Sequence, residues 1–190
     1  RLNYFGRVNY NYKSKYIAEL LWRYDGSYMF PEKTRYGFFP GAMLGWVASE
    51  EGFWKDNIKA INYFKIRASY GQMGNDNVFY DDLLQEYQFF STYKFGSYIL
   101  GDEMIKTLYE SRVPNNFITW EVANNYNLGI DAQLLGGKIN FEFDVFKNRR
   151  NSILWRRNAS IPQSTGMTLP AENIGKVDNK GWEFNLGYRD

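Results

Sequence analysis

Alternation of apolar and polar side chains is the feature that most restricts what this chain can fold into. In residues 2–12 the even positions are mostly apolar or aromatic, whereas the odd positions are mostly Asn and Arg. A period of two residues indicates a β-strand, because successive side chains point to opposite faces. The same pattern recurs in six more segments: 16–25, 36–48, 62–72, 120–134, 139–145 and 182–188. The sequence therefore predicts an all-β fold with seven antiparallel strands of about ten residues.

The connections between these segments alternate in length. The short or medium ones are 13–15, 49–61 and 136–137, with a turn of helix expected in 49–57, and the long ones are 26–35, 74–118 and 150–174. A tilted strand of about ten residues is long enough to span a bilayer. In outer-membrane barrels, short periplasmic turns and long extracellular loops connect such strands. We therefore predict a segment of a large transmembrane β-barrel with long extracellular loops. Within the longest loop, weak alternation over 85–93 favours a strand.

Aromatic residues support a membrane location or a sugar-binding surface. They make up 19% of the chain, and Tyr and Trp combine an apolar ring with a polar tip. Tyr12 and Tyr16 are expected at one rim of the barrel and Tyr24, Tyr36 and Trp120 at the other. The mean hydropathy of −0.54 and the lack of a run of about 18 apolar residues exclude transmembrane helices.

Charge and residue usage exclude several functions. The net charge is +2 and the basic residues are dispersed, so nucleic-acid binding has no support. Without Cys or His the chain lacks disulfides, thiolate metal ligands and the usual catalytic base. Adjacent acids at 50–51 and 81–82 point to opposite sides of an extended chain, and Asp76, Asp81 and Asp82 lack the spacing of an EF-hand. We expect no enzymatic activity, cofactor or metal site.

Two sets of residues are candidates for contact with cargo or with the barrel interior. Mixed charges on the polar face suit a hydrogen-bonded, plugged lumen. The lumen-facing set is Arg7, Glu19, Arg23, Arg67, Glu121, Asp131, Glu142 and Asp144. Aromatic rings in the longest loop are candidates for stacking on sugars or packing against a lid protein, but a role in holding that loop together is favoured because nothing in the sequence fixes their geometry. The substrate-binding candidates in this loop are Phe89, Phe90, Tyr93, Tyr98 and Tyr109.

Motifs occur in one order along almost the whole chain. They include Arg7-Val8-Asn9-Tyr10-Asn11-Tyr12, Arg23-Tyr24-Asp25-Gly26-Ser27 with Phe30, Lys65-Ile66-Arg67-Ala68-Ser69-Tyr70-Gly71-Gln72, Asn127-Leu128-Gly129-Ile130-Asp131 and Asn179-Lys180-Gly181-Trp182-Glu183. This series resembles the C-terminal part of the barrel in SusC/RagA-type TonB-dependent outer-membrane transporters of Bacteroidetes. The resemblance covers the chain except for about 81–112.

The resemblance implies a barrel of roughly 22 strands around a plug, which seven strands cannot close. Residues 1–190 would then be a partial barrel, with the plug domain and remaining strands absent from this chain, and both ends of the sequence look cut. It also implies active import of a large nutrient, an oligosaccharide or peptide, across the cell outer membrane. The implied partners are a SusD-like surface lipoprotein, TonB with ExbB and ExbD, and outer-membrane lipid.

Two other functions fit the residues alone. A passive outer-membrane porin would have the same strands without a plug or a TonB-binding segment. A secreted carbohydrate-binding β domain would use its aromatic rings to stack on sugars, would be soluble without detergent and would bind glycan alone. The sequence does not identify the cargo.

Overall fold

The computed structural model describes residues 1–80, 83–84, 86–155 and 169–189, and the side chains of 79–84 are left out of the description. Asp81 and Asp82, weighed above as possible metal ligands, therefore lie outside the described residues. The strands in chain order are β1 Leu2–Tyr12, β2 Tyr16–Gly26, β3 Tyr36–Val47, β4 Ile61–Asn75, β5 Phe79–Tyr80, β6 Leu83–Leu84, β7 Thr92–Leu100, β8 Glu103–Arg112, β9 Glu121–Leu134, β10 Ile139–Trp155 and β11 Glu172–Tyr188.

Seven of these strands form one antiparallel sheet in the order β1-β2-β3-β4-β9-β10-β11. The predicted all-β, seven-stranded antiparallel architecture is confirmed. Strands β5 and β6 pair with each other, as do β7 and β8, and both pairs lie in the chain between β4 and β9. The helical elements are the 3-10 turns Ala48–Glu50 and Leu135–Gly137 and the helix α1 Gly52–Asn57. No helix among the described residues is long and apolar enough to cross a membrane.

The strand register sorts the side chains onto two different faces. One row of cross-strand partners runs through all seven strands as Tyr10, Ala18, Leu44, Ala68, Leu128, Val145 and Trp182. The adjacent row on the opposite side runs as Asn9, Glu19, Met43, Ser69, Asn127, Phe146 and Gly181. We call these sides the apolar face and the polar face. Because a slip of one residue would exchange them, the register is strongly determined by the alternation.

The apolar face has no protein layer over it in the described part of the chain. Leu20, Leu44 and Leu128 are 57%, 63% and 55% exposed, although each lies on a strand that has a neighbour on both sides. Their exposure is therefore not an effect of a sheet edge. A soluble sandwich would cover such a face with a second sheet, and large exposed apolar surfaces mark contact with a membrane or another protein.

The buried core lies at one end of the sheet, among the long loops. We call this cluster the loop core, and it consists of Met29, Phe30, Phe39, Val78, Ile118, Trp120 and Ala171. Trp120 packs edge-on against Phe30 and Phe39, with ring centroids 5.3 Å apart in each pair. The indole N–H of Trp120 donates to the carbonyl oxygen of Arg35 at 3.1 Å. The described parts of the long loops thus pack against one another at this end of the sheet.

Three details of the sequence prediction are wrong. Strands β10 and β11 are each 17 residues long, so both ends of the loop predicted over 150–174 belong to the sheet, and β11 begins ten residues earlier than the predicted strand 182–188. The loop strand favoured over 85–93 is replaced by the hairpin β7–β8, which begins at Thr92. Trp120, expected at the membrane rim, is only 7% exposed because it belongs to the loop core.

Candidate functional site: the polar face and the loop end

An ion network lies near the centre of the polar face. Arg67 on β4 donates through Nε to Asp131 on β9 at 3.0 Å and through Nη2 to Asp144 on β10 at 2.6 Å. It also donates through Nη1 to Asn127 Oδ1 at 3.4 Å. One guanidinium thus connects three adjacent strands, and its planar set of donors suits two carboxylates at once.

Gly129 leaves the room that this network needs. It lies opposite Arg67 in the register of β4 and β9 and opposite Asp144 in that of β9 and β10. A Cβ atom at this position would lie 2.6 Å from Arg67 Cζ and 2.7 Å from Asp144 Oδ1. Both contacts are far closer than van der Waals distance, so the absence of a side chain allows the arginine to cross above the backbone.

All eight residues predicted to face the lumen lie on the polar face according to the strand register. Outside the Arg67 network most of their contacts are longer. Arg7 Nε is 3.6 Å from Glu19 Oε1, and Arg150 Nη1 is 3.6 Å from Glu121 Oε1. Arg23 pairs with Asp25 at 3.0 Å, and Glu142 accepts a hydrogen bond from Asn185 at 3.4 Å. That this face lines a lumen remains a prediction at this point.

A row of asparagines on the polar face was missed in the sequence analysis, which considered only charged residues. Asn125, Asn148 and Asn179 are cross-strand partners on β9, β10 and β11. Each amide offers both donors and acceptors, so the row matches neutral polar groups such as hydroxyls or peptide bonds. The signal was present as Asn on the polar parity of three neighbouring strands, but it required their register to be seen.

The loop aromatics predicted as substrate contacts do not form one site. Phe89 packs against the loop core and its ring lies 4.4 Å from that of Phe90. Tyr93 lies on one face of the hairpin β7–β8, whereas Tyr98 and Tyr109 lie on the other. Phe90, Tyr93, Tyr98 and Tyr109 are exposed. The structure thus gives Phe89 a packing role and leaves the other four at the surface.

The hairpin β7–β8 exposes apolar side chains on both of its faces. Phe95 and Leu108 are direct partners on one face, and Tyr98 and Ile105 are direct partners on the other. Phe95 is 86% exposed. An isolated two-stranded hairpin is marginally stable in water, so this apolar surface is suited to contact with another protein.

Polar contacts tie the loops to one another around the loop core. Ser27 donates to Asp76 Oδ2 at 2.6 Å, and Arg1 reaches the other oxygen of that carboxylate at 2.8 Å. The Ala171 N–H donates to Gln88 Oε1 at 2.9 Å across 83 residues of sequence. Tyr28 donates to Glu86 at 2.9 Å, and this hydrogen bond raises the pKa of the Tyr28 hydroxyl. These contacts hold the described parts of the loops in defined positions around the loop core.

At the opposite end of the sheet, Glu51 holds the short connections together. Its carboxylate accepts hydrogen bonds from Lys15 at 2.9 Å, from Tyr16 at 2.7 Å and from Trp46 at 3.4 Å. The hydrogen bonds from Lys15 and Tyr16 lower the pKa of Glu51 to about 2. Glu51 therefore joins the turn between β1 and β2 to the helical segment that follows β3.

Metal binding has no site among the residues that the structure describes. No group of three or more acids there is arranged to hold an ion. On the polar face, Asp131 and Asp144 are instead ion-pair partners of Arg67. The polar face therefore presents amides and paired charges to a ligand over an extended surface.

Comparison with known proteins identifies the family. Residues 1–189 match the model of the family described as TonB dependent receptor-like, beta-barrel. The chain is 33% identical over 186 residues to TonB-dependent receptor P3 of Formosa agariphila, covering 98% of this chain and 18% of that protein. It is 31% identical over 189 residues to TonB-dependent receptor SusC of Bacteroides thetaiotaomicron, covering 97% of this chain and 18% of that protein.

Solved structures show the same fold. The RagAB peptide importer in its open-open state superposes with a TM-score of 0.79 at 20% identity, over 97% of this chain and 19% of that chain. The siderophore receptor PirA from Pseudomonas aeruginosa superposes with a TM-score of 0.58 at 14% identity, over 97% of this chain and 30% of that chain. The chain thus spans about a fifth of the length of the curated relatives that it matches. It belongs to the TonB-dependent receptor-like β-barrel family, and its seven strands form part of the wall of an outer-membrane barrel.

Proposed function

We propose that the protein containing this chain imports a large nutrient, an oligosaccharide or a peptide, across the outer membrane with energy transmitted by TonB. The observation that carries the proposal is the single-layered sheet with an uncovered apolar face and a polar face of amides and paired charges. Lipid would cover the first face and a plugged lumen would lie against the second.

The arrangement of the polar face supports passage of a polar cargo. A row of amides can exchange hydrogen bonds with sugar hydroxyls or with peptide groups without a large net charge. The ion network of Arg67, Asp131 and Asp144 stabilises the wall by linking β4, β9 and β10, and both carboxylates are held by the same guanidinium. Seven strands cannot close a barrel of this class, so further strands would complete it, and a plug domain in the lumen is part of the proposal.

The loop end supports a surface partner. One of the structural relatives is described as the RagAB peptide importer. The exposed apolar hairpin β7–β8 stands at the end of the sheet that carries the long loops, where a SusD-like lipoprotein would meet the barrel. TonB with ExbB and ExbD would act from the periplasmic side, opposite this hairpin.

Family membership rejects the secreted carbohydrate-binding domain considered above, and it agrees with a receptor that is not an enzyme. A passive porin is the remaining competitor. A strain that lacks the parent gene, complemented with the full-length protein, should accumulate labelled oligosaccharides or labelled peptides. Accumulation should stop when tonB is deleted. Uptake that persists without TonB would favour the porin, and no uptake of either cargo class would overturn the proposal.

A further inference from the structure

We propose that Lys147 and Lys180 bind a phosphate group of an outer-leaflet lipid on the outside of the barrel wall. The inference rests on the proposed orientation, in which the apolar face meets lipid and the polar face meets the lumen. It extends that orientation to a specific lipid contact, and it depends on the register of β10 and β11.

The two lysines are direct cross-strand partners on the apolar face. Lys147 on β10 lies opposite Lys180 on β11, and both are exposed. Like charges directly opposite each other in an antiparallel pair are destabilising. An anion held between the two ammonium groups would remove this repulsion and would accept hydrogen bonds from both.

The neighbouring ion pair does not neutralise the lysines. One row further from the membrane, Arg149 donates to Asp178 through Nε at 2.8 Å and through Nη2 at 3.0 Å. Asp178 is the acid near the lysines among the described residues, and both of its oxygens are engaged by this bidentate contact. Three basic side chains therefore surround one carboxylate, which leaves the cluster with two uncompensated positive charges.

The position along the strand is that of the outer membrane boundary. From Ile139, next to the short turn, to Lys147 is a span of nine residues, and about 9–11 residues of a tilted strand cross the hydrocarbon layer. The preceding row on the same face is the apolar pair Val145 and Trp182, with Trp182 69% exposed. The outward side chains thus change from apolar to charged at the lysine pair.

The surroundings favour a lipid phosphate over a free one. The lysine row continues along the sheet as Tyr126 and then Tyr70, whose ring centroids lie 5.0 Å apart. Tyr and Trp are enriched at the level of lipid headgroups. A lipid whose phosphate sits between the ammonium groups would lay its acyl chains along Val145 and Trp182, and inorganic phosphate has no such contact.

The test measures lipid binding by the full-length parent protein, purified in detergent. Native mass spectrometry would compare bisphosphorylated lipid A, its dephosphorylated form and inorganic phosphate on the unchanged protein and on the double variant Lys147→Gln, Lys180→Gln. We expect the variant to lose about tenfold in affinity for the phosphorylated lipid. Lys106→Gln, an exposed lysine on the loop hairpin, is the matched control and should bind as the unchanged protein does.

Three results would overturn the proposal. They are equal binding of phosphorylated lipid by the double variant, equal binding of phosphorylated and dephosphorylated lipid by the unchanged protein, and competition by inorganic phosphate at the lipid's own concentration. A heat-dependent shift in gel mobility would verify that the variant barrel is closed. Nutrient uptake is measured separately, so failure of the transport proposal appears as lost uptake in the unchanged protein, whatever its lipid binding.

Discussion

At the scale of single residues, Arg67 has the strongest structural role on the polar face. Replacing it with Met leaves Asp131 and Asp144 on neighbouring strands without their shared cation. We expect the free energy of unfolding of the full-length barrel to fall by about 1–3 kcal/mol, because charged acceptors lose their donors in a partly buried site. Urea titration in lipid vesicles, followed by tryptophan fluorescence, would measure the change.

The matched control for this substitution is Arg7→Met on the same face. Arg7 is more exposed and lies 3.6 Å from its partner Glu19, so its removal should change the free energy of unfolding by less than about 1 kcal/mol. Equal effects of the two substitutions would contradict a special role for the Arg67 network. Gly129→Ala should resemble Arg67→Met, because the new methyl group would displace the guanidinium.

The lowered pKa of Glu51 predicts that the stability of the periplasmic end of the sheet depends on pH. Its pKa is lowered from 4.5 to about 2, chiefly by the hydrogen bond from Lys15. A depressed carboxyl pKa in the folded state means that its contribution to stability is complete above pH 4.5 and is lost as the pH falls toward 2. The protection factors of the amides around residues 13–15 and 48–57, which remove the intrinsic pH dependence of hydrogen exchange, should therefore fall over this window.

The substitution Glu51→Gln should remove most of this pH dependence, because the amide does not titrate. Glu50→Gln removes a neighbouring carboxylate that pairs only with Lys55 in the described contacts, and it serves as the control. The same fall in protection factors in Glu51→Gln and in the unchanged protein would show that another group is responsible.

At the scale of elements, the strands that cross the membrane could be predicted from the sequence and the extramembrane strands could not. Inside the membrane the two faces meet lipid and lumen, so alternation is strong, as in Phe141 to Val145. Beyond Lys147 both faces meet water, and Asn148, Arg149 and Arg150 are polar on either side. The backbone pairing continues without any contrast in the side chains, which is why β10 and β11 were predicted too short.

The hairpin β7–β8 escaped prediction for the opposite reason. Its partners Phe95 and Leu108 are apolar on one face, and Tyr98 and Ile105 are apolar on the other. No period of two residues emerges when both faces carry the same kind of side chain. The row of asparagines on the polar face was missed because it exists only in the register between β9, β10 and β11, and that register cannot be read from one segment at a time.

This hairpin also gives a prediction about partner binding. Phe95→Ser removes its most exposed ring, so co-purification of the surface lipoprotein with the full-length receptor should fall severalfold. Phe53→Ser changes an exposed phenylalanine at the opposite end of the sheet and should leave co-purification unchanged. If the Phe95→Ser receptor retained its partner fully, the hairpin would not be a principal contact.

At the scale of the whole molecule, the sheet lacks the second layer that makes a soluble β protein stable. Its buried core is confined to the loop end, while leucines in the middle of the sheet are exposed. A domain of this composition in water would need to bury that surface against another layer. The membrane supplies the missing layer, so this segment is stable only as part of a closed, lipid-surrounded barrel.

If lipid covers the apolar face, neighbouring residues of β9 should have opposite surroundings. Leu128 belongs to the row of the apolar face and Asn127 to the row of the polar face. Spin labels on single-cysteine variants of the full-length protein in vesicles should report high oxygen accessibility at Leu128→Cys, because oxygen concentrates in lipid. A water-soluble nickel reagent should reach Asn127→Cys better than Leu128→Cys. Reversed accessibilities would place the polar face outward and overturn the lumen assignment together with the lipid site at Lys147 and Lys180.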